Sequence, residues 1–242
     1  MASIGIYGRL GRMGQAIAAV IPELGATLAG GADAGENPEA IARKADVLVD
    51  FSAAVAVDAH LDAALATGTP ILIGTTGLTH AQHARIDAAA QQIPVLQTGN
   101  TSLGIALLSR LVREAAGRLG ADWDVEIVET HHRMKVDAPS GTALMLGEAA
   151  AAGMGVAMAD VGVLGRAGLV GARAAGTIGF AAVRGGRVVG DHQVIFAGEG
   201  ERIELGHRAD DRAIFARGAV KAAQWLVTQA PGRYGMDAVL GL

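Results

Sequence analysis

The stretch from Glu129 to Ala143, ETHHRMKVDAPSGTA, places His131, His132, Arg133 and Lys135 within five residues. Histidine exchanges protons near neutral pH, and neighbouring cations can tune a lysine downward, so this patch supplies proton donors. Directly after it, Pro139 and then Ser140-Gly141-Thr142 read as a helix start, whose exposed amides attract anions. Donors converging on a helix N-terminus suit a small carboxylate substrate. No metal is expected, because no third ligand stands at metalloprotein spacing and His-Glu-x-x-His is absent.

A second chemical signature opens the chain. Gly8-Arg9-Leu10-Gly11-Arg12-Met13-Gly14 falls between a strand-like run and a helical one, where glycines allow a tight turn and close approach of backbone to a pyrophosphate. The spacing is G-x-x-G-x-x-G rather than G-x-G-x-x-G, but Asp33 ends the next strand about 20 residues on, where a ribose-binding carboxylate belongs. Asp33 favours a free ribose diol, and Ala34 rather than an arginine follows it. Arg9 and Arg12 stand in the loop to offset a phosphate charge. The expected cofactor is therefore NADH or NADPH, with NADH used at least equally. Gly74-Thr75-Thr76-Gly77 and Thr98-Gly99-Asn100-Thr101 follow two further strands, at the carboxyl ends where ligands of open α/β sheets collect.

These residues need a scaffold, and the hydrophobic pattern supplies one. Short β-type runs at Ile4–Tyr7, Ala26–Asp33, Val47–Phe51, Ile71–Gly74 and Val95–Leu96 alternate with alanine-rich helical stretches. Continuous apolar strands separated by helices predict a doubly wound, Rossmann-type parallel sheet. Thr79 and Gln82 fit a capping box. Beyond a helix at 102–119, Trp123–Ile127 alternates with period two, as a half-buried strand does. Phe180–Arg184 and Arg187–Val189 are expected to pair as a hairpin across Gly185-Gly186, with Val194–Phe196 and Arg202–Leu205 following. This predicts a second, α+β domain with a mixed, largely antiparallel sheet over residues 103–212. Residues 1–102 and 213–242, the latter opening with a helix at 213–229, form the dinucleotide-binding domain.

Composition excludes several classes. With 20 basic against 24 acidic residues, the net charge of −4 argues against a nucleic-acid or membrane-surface binder. The longest near-continuous apolar stretch, Ala149–Ala159, falls short of the roughly 18–20 residues of a membrane span. The first residues lack the basic region of a signal peptide, so a cytoplasmic protein is expected. The absence of cysteine excludes disulfides, iron–sulfur clusters, thiolate zinc sites and cysteine nucleophiles.

Taken together, Gly11-Arg12-Met13-Gly14, Gly74-Thr75-Thr76-Gly77, the 129–143 block, Gly176-Thr-Ile-Gly179-Phe180 and Gly200-Glu-Arg202-Ile-Glu204-Leu205 resemble the 4-hydroxy-tetrahydrodipicolinate (dihydrodipicolinate) reductase family. The resemblance runs from the first strand to the last helix. It implies hydride transfer from a pyridine nucleotide to a cyclic, conjugated imine dicarboxylate with loss of water, in the diaminopimelate route to lysine. By motif, His131 resembles the acid/base residue and Lys135 the proton donor. His132, Ser140, Gly141 and Thr142, with Thr76, correspond to substrate contacts. Gly8–Met13, Asp33, Gly74–Thr76 and Thr98–Thr101 correspond to the cofactor lining. The family also implies a homotetramer assembled through the second domain's sheet. A related amino-acid or imine dehydrogenase would share the glycine loop but has no reason to keep Lys135 beside Ser140-Gly141-Thr142. A nucleotide-sensing module gains nothing from proton donors beside an anion site.

Overall fold

Ile4, Ile6, Val47, Val49, Ile71 and Ile73 have no exposed surface, which requires a sheet covered on both faces. In the computed structural model, which describes residues 1–242, the chain begins β1 (Ser3–Tyr7), α1 (Arg12–Val20), β2 (Thr27–Ala32), α2 (Pro38–Ala42), β3 (Val47–Asp50), α3 (Val57–Thr67), β4 (Ile71–Ile73), α4 (His80–Ala89) and β5 (Pro94–Gln97). It continues through α5 (Leu103–Leu119), β6 (Asp124–His131), α6 (Gly141–Met154), α7 (Met158–Val161), β7 (Gly162–Val163), β8 (Ile178–Arg184), β9 (Gly190–Ala197) and β10 (Arg202–Ala209). It closes with α8 (Ala213–Leu226), β11 (Gly232–Tyr234) and α9 (Met236–Val239). Two compact units result, Met1–Leu103 with Ala213–Leu242, and Gly104–Arg212.

The first unit holds a six-stranded sheet in the order β11-β5-β4-β3-β1-β2, with every pair parallel. Helices α1 and α8 pack together, α8 against β3, β4 and β5, while α2, α3 and α4 form the other layer. The order turns back at β1, so chain leaving β1 and chain leaving β3 diverge there, the place where such sheets bind ligands. Thr79 and Gln82 make the expected capping box at α4. Strand β11 was not legible in the pattern: Gly232-Arg-Tyr234 has no apolar alternation, and it forms because its backbone completes the edge beside β5.

The second unit's sheet runs β10-β9-β6-β8-β7 and is mixed. Strand β6 follows the predicted period of two, with Val125, Ile127, Glu129 and His131 on the buried side. Here the expected hairpin is corrected. Arg187–Val189 is not a strand, and β8 and β9 do not pair with each other. Instead β6 lies between them, parallel to β8 and antiparallel to β9. The Gly-Gly signal is local, whereas the apolar face of β6 offers both neighbours a long-range partner that buries more surface. The two glycines therefore carry the chain across the end of β6. The Gly185 amide donates to the His131 carbonyl (2.9 Å) and the Arg133 amide to the Gly186 carbonyl (3.4 Å). Helices α5 and α6 cover the buried face, around Ile127, Leu146, Phe180 and Phe196. No helix is long and apolar enough to cross a membrane.

Candidate active site

In the second unit the basic stretch leaves the end of β6 and turns into the start of α6. Its anchor is Glu129, which is 1% exposed. One carboxylate oxygen faces His131 Nδ1 (2.5 Å) and Arg184 Nη1 (2.7 Å). The other accepts from Arg184 Nη2 (2.7 Å) and from the Ser140 amide (3.1 Å). Burial pushes the Glu129 carboxyl upward, but hydrogen bonds from Arg184 and His131, with the Ser140 amide, outweigh it and hold the group below its ordinary value. Arg184 also donates to the Asp137 carbonyl (2.7 Å), and Lys135 Nζ reaches both Asp137 oxygens (2.8 Å). The lysine's bond holds the Asp137 carboxyl below its ordinary value.

Ser140 caps α6, its hydroxyl accepting from the Ala143 amide (3.2 Å), and the same oxygen lies 3.1 Å from His192 Nε2. His192 sits edge-on to His131 with ring centres 5.1 Å apart. Burial, followed by repulsion from His131, pushes it down to about 4, so it is neutral in the fold. His131, Lys135 and Ser140 are thus joined in one network. Gly141 and Thr142 open the helix directly beyond it. His132 lies outside the network, its Nε2 accepting from Arg212 Nη2 (3.0 Å). Arg133 is exposed.

In the first unit the Gly8–Gly14 loop joins β1 to α1, with Gly11 as the N-cap. Gly8 has φ +77°, and a Cβ on Gly14 would collide with the Gly8 carbonyl, so the loop folds this tightly only with glycine. Asp33 ties the loop to the end of β2 by accepting from the Leu10 amide (3.0 Å). Arg9 Nε lies 3.7 Å from Asp33 Oδ2, and both atoms are buried without a hydrogen-bond partner. Leu10, Gly11 and Arg12 are exposed and Met13 half-buried. Thr75 is buried, its hydroxyl donating to Asp50 (2.9 Å), while Thr76 is exposed. Thr98 donates to the Asn100 carbonyl (2.8 Å), Thr101 to the Phe215 carbonyl (2.7 Å), and Gly99 is exposed. A dinucleotide fits this lining. The loop exposes Leu10, Gly11 and Arg12 at the start of α1, and Asp33 Oδ2 and Arg9 Nε are an acceptor and a donor of the kind a ribose hydroxyl and a neighbouring oxygen would satisfy.

Four further residues belong to these clusters: Arg184, His192, Arg212 and Asp50. Glu129, present in the motif, becomes the buried centre. Its signal was available, since period two puts residue 129 on the same face as Val125 and Ile127, and a carboxylate there requires partners.

Fold and clusters define a class: a dinucleotide-binding α/β oxidoreductase with an added α+β unit. The chain belongs to the dihydrodipicolinate reductase family. Residues 2–101 match the family model described as "Dihydrodipicolinate reductase, N-terminus", and residues 104–240 the one described as "Dihydrodipicolinate reductase, C-terminus". The 4-hydroxy-tetrahydrodipicolinate reductase of Zymomonas mobilis is 54% identical over 99% of this chain and 97% of its own. That of Acidiphilium cryptum is 50% identical over the same shares, 99% and 97%. In fold, the chain is similar to the dipicolinate-bound dihydrodipicolinate reductase from Paenisporosarcina sp. TG-14. The TM-score is 0.79 at 24% identity, covering 97% of each chain.

Proposed function

We propose that this chain reduces 4-hydroxy-tetrahydrodipicolinate to tetrahydrodipicolinate with loss of water, in the diaminopimelate route to lysine. The observation that carries the reading is the hydrogen-bonded linkage of two proton-donating side chains, His131 and Lys135, to the start of α6 through Glu129, Asp137, Arg184 and Ser140. NADH or NADPH, when bound, supplies the hydride. The net change adds a hydride and a proton and releases water, so the protein must deliver and collect protons at a dianionic substrate. In this reading His131 exchanges the proton as acid and base, and Lys135 donates one to the reduced ring. His132, Ser140, Gly141 and Thr142 hold the carboxylates, with Thr76 as a further substrate contact. A cationic cluster stabilises the negative charge that reduction places on the ring.

On the nucleotide side, Gly8–Met13, Gly74–Thr76 and Thr98–Thr101 line the cofactor and Asp33 reaches the ribose, with NADH used at least as well as NADPH. The reading includes a homotetramer. On the sheet face opposite the core, Val128 of β6 and Ile195 of β9 are only half-buried within the chain and Val183 of β8 is exposed, apolar side chains of the kind that association covers. It also includes a cytoplasmic location, where NAD(P)H is supplied.

The test is oxidation of NADH and NADPH by purified protein, with substrate generated in situ from pyruvate and aspartate semialdehyde by the upstream condensing enzyme. Substrate-dependent oxidation is expected with both nucleotides, and sedimentation at a tetramer's mass. No oxidation by folded, nucleotide-binding protein would overturn the assignment, and a more than tenfold KM preference for NADPH would overturn the cofactor reading.

A further inference from the structure

Glu129 is almost wholly buried, and of its four hydrogen bonds one is to His131 Nδ1, two are to Arg184 and one is to the Ser140 amide. Arg184 grips both carboxylate oxygens from the end of β8, where it stands opposite His131 in register. Such a paired guanidinium keeps the carboxylate ionised, so Glu129 can only accept a hydrogen bond from His131 Nδ1. That fixes where the ring's proton sits: on Nδ1, with Nε2 left for exchange. An independent feature marks the same atom. A Cβ on Gly190, the first residue of β9, would stand 2.9 Å from His131 Nε2, tighter than real contacts allow, so glycine there leaves the nitrogen its room.

We infer that Glu129, charge-balanced by Arg184, is a positioning residue that sets the tautomer and orientation of the His131 ring and presents Nε2 for proton exchange. This rests on the proposed reductase chemistry for its consequence, though not for its geometry. Other charged or titratable groups around the ring fit this arrangement. His192 on β9 is edge-on and neutral, with His207 of β10 opposite it in register. The turn contributes Lys135, which is occupied by Asp137, and α6 contributes the Ser140 cap. None of these competes with Glu129 for Nδ1. When Nε2 gives up its proton, the ring returns to the neutral form with Nδ1–H still held by Glu129, so no second proton moves.

The experiment uses the full chain labelled with [15N]histidine, with His131 assigned by comparison with His131→Asn. Long-range proton–nitrogen correlation above pH 8 reads the tautomer directly. The wild-type protein is expected to carry the proton on Nδ1. In Glu129→Gln that preference is lost, and kcat falls about 10²–10⁴-fold, as when a histidine-orienting carboxylate is neutralised. NADH affinity stays within about twofold. Glu129→Asp, which keeps the charge, restores the tautomer and part of kcat. Protonation of wild-type His131 on Nε2 overturns the inference without any variant, as does full kcat in Glu129→Gln. If Glu129→Gln does not fold, the wild-type spectrum and the aspartate variant decide. A wild-type protein with the proton on Nδ1 but no substrate-dependent oxidation would instead remove the proposed reaction.

Discussion

The carboxylate of Asp50, with no exposed surface, lies 2.8 Å from the Nδ1 of His60, ten residues further on. Its other oxygen accepts from the Ser52 amide and hydroxyl and from the Thr75 hydroxyl. His60 in turn stacks on Tyr7 at 4.0 Å, and burial with nearby Asp50 pushes that phenol well above its ordinary range. One buried carboxylate thus ties the last residue of β3 to the end of β1 and to the loop after β4. Removing it strands several polar groups together. Asp50→Ala is expected to destabilise the protein by about 3 kcal/mol, as when a buried pair loses one partner. Thr75→Val, which removes one donor to Asp50 and leaves the Ser52 amide its bond to the Asp50 carboxylate, should lose only about 1 kcal/mol. Urea unfolding midpoints of the two variants check this, and equal small losses would mean that the network is slack.

Arg9 and Asp33 make a different relationship, in which each has a polar atom left over. Asp33 Oδ1 is committed to the Leu10 amide, whereas Oδ2 and Arg9 Nε face each other at 3.7 Å without a hydrogen bond. A ribose diol would satisfy the carboxylate, and a 2′-phosphate would favour the guanidinium. Asp33→Ala is expected to weaken NADH about tenfold, the worth of one hydrogen bond to a charged group, and NADPH much less. Arg9→Ala should act in the opposite sense. Fluorescence titration with both nucleotides measures the ratio, and equal losses for both in Asp33→Ala would undo the ribose assignment.

The contrast between the two units shows what a sequence carries. In the first, buried strands such as Val47–Asp50 and Ile71–Ile73 follow one another with helices between them, so local pattern and global topology agree. In the second, Val125 of β6 has its register partners 53 residues further along, Ile178 of β8, and 71 residues further along, Phe196 of β9, and no local signal announces them. The same holds for side chains. Ser140 could be read as a cap from its surroundings, but the Arg184 that holds Glu129 is 55 residues away and meets it only because β8 runs parallel to β6. His192 reaches Ser140 across 52 residues because β9 pairs antiparallel with β6 on its other side and sets His192 opposite Glu129.

His131 and Lys135 both approach the start of α6 but through different partners, Glu129 for one and Asp137 for the other. Their loss should therefore act on chemistry rather than on nucleotide binding. His131→Ala and Lys135→Ala are each expected to lower kcat about 10²–10⁴-fold, the usual effect of losing a general acid or base. NADH affinity measured by titration should stay within about twofold. Wild-type turnover in either variant would remove the role proposed for that residue.

His192 makes the stability of the protein depend on pH. Buried and repelled by His131, it stays neutral in the fold until about pH 4, whereas the unfolded chain takes up the proton at its ordinary value of 6.5. Between those values the unfolded state binds more protons, so the contribution is full above pH 6.5 and is lost as pH falls toward 4. At about 1.4 kcal/mol per pH unit the whole interval is worth about 3 kcal/mol. His207, also pushed below its ordinary value chiefly by burial, adds in the same direction. Glu129 and Asp137, held low by their cationic partners, contribute only at more acidic pH, where carboxylates begin to protonate. The urea midpoint should therefore fall between pH 6.5 and 4 in the wild type and fall less in His192→Gln, which keeps a polar group near Ser140 without a titrating ring. Parallel curves for the two proteins would mean that His192 takes up its proton in the fold as readily as in the unfolded chain.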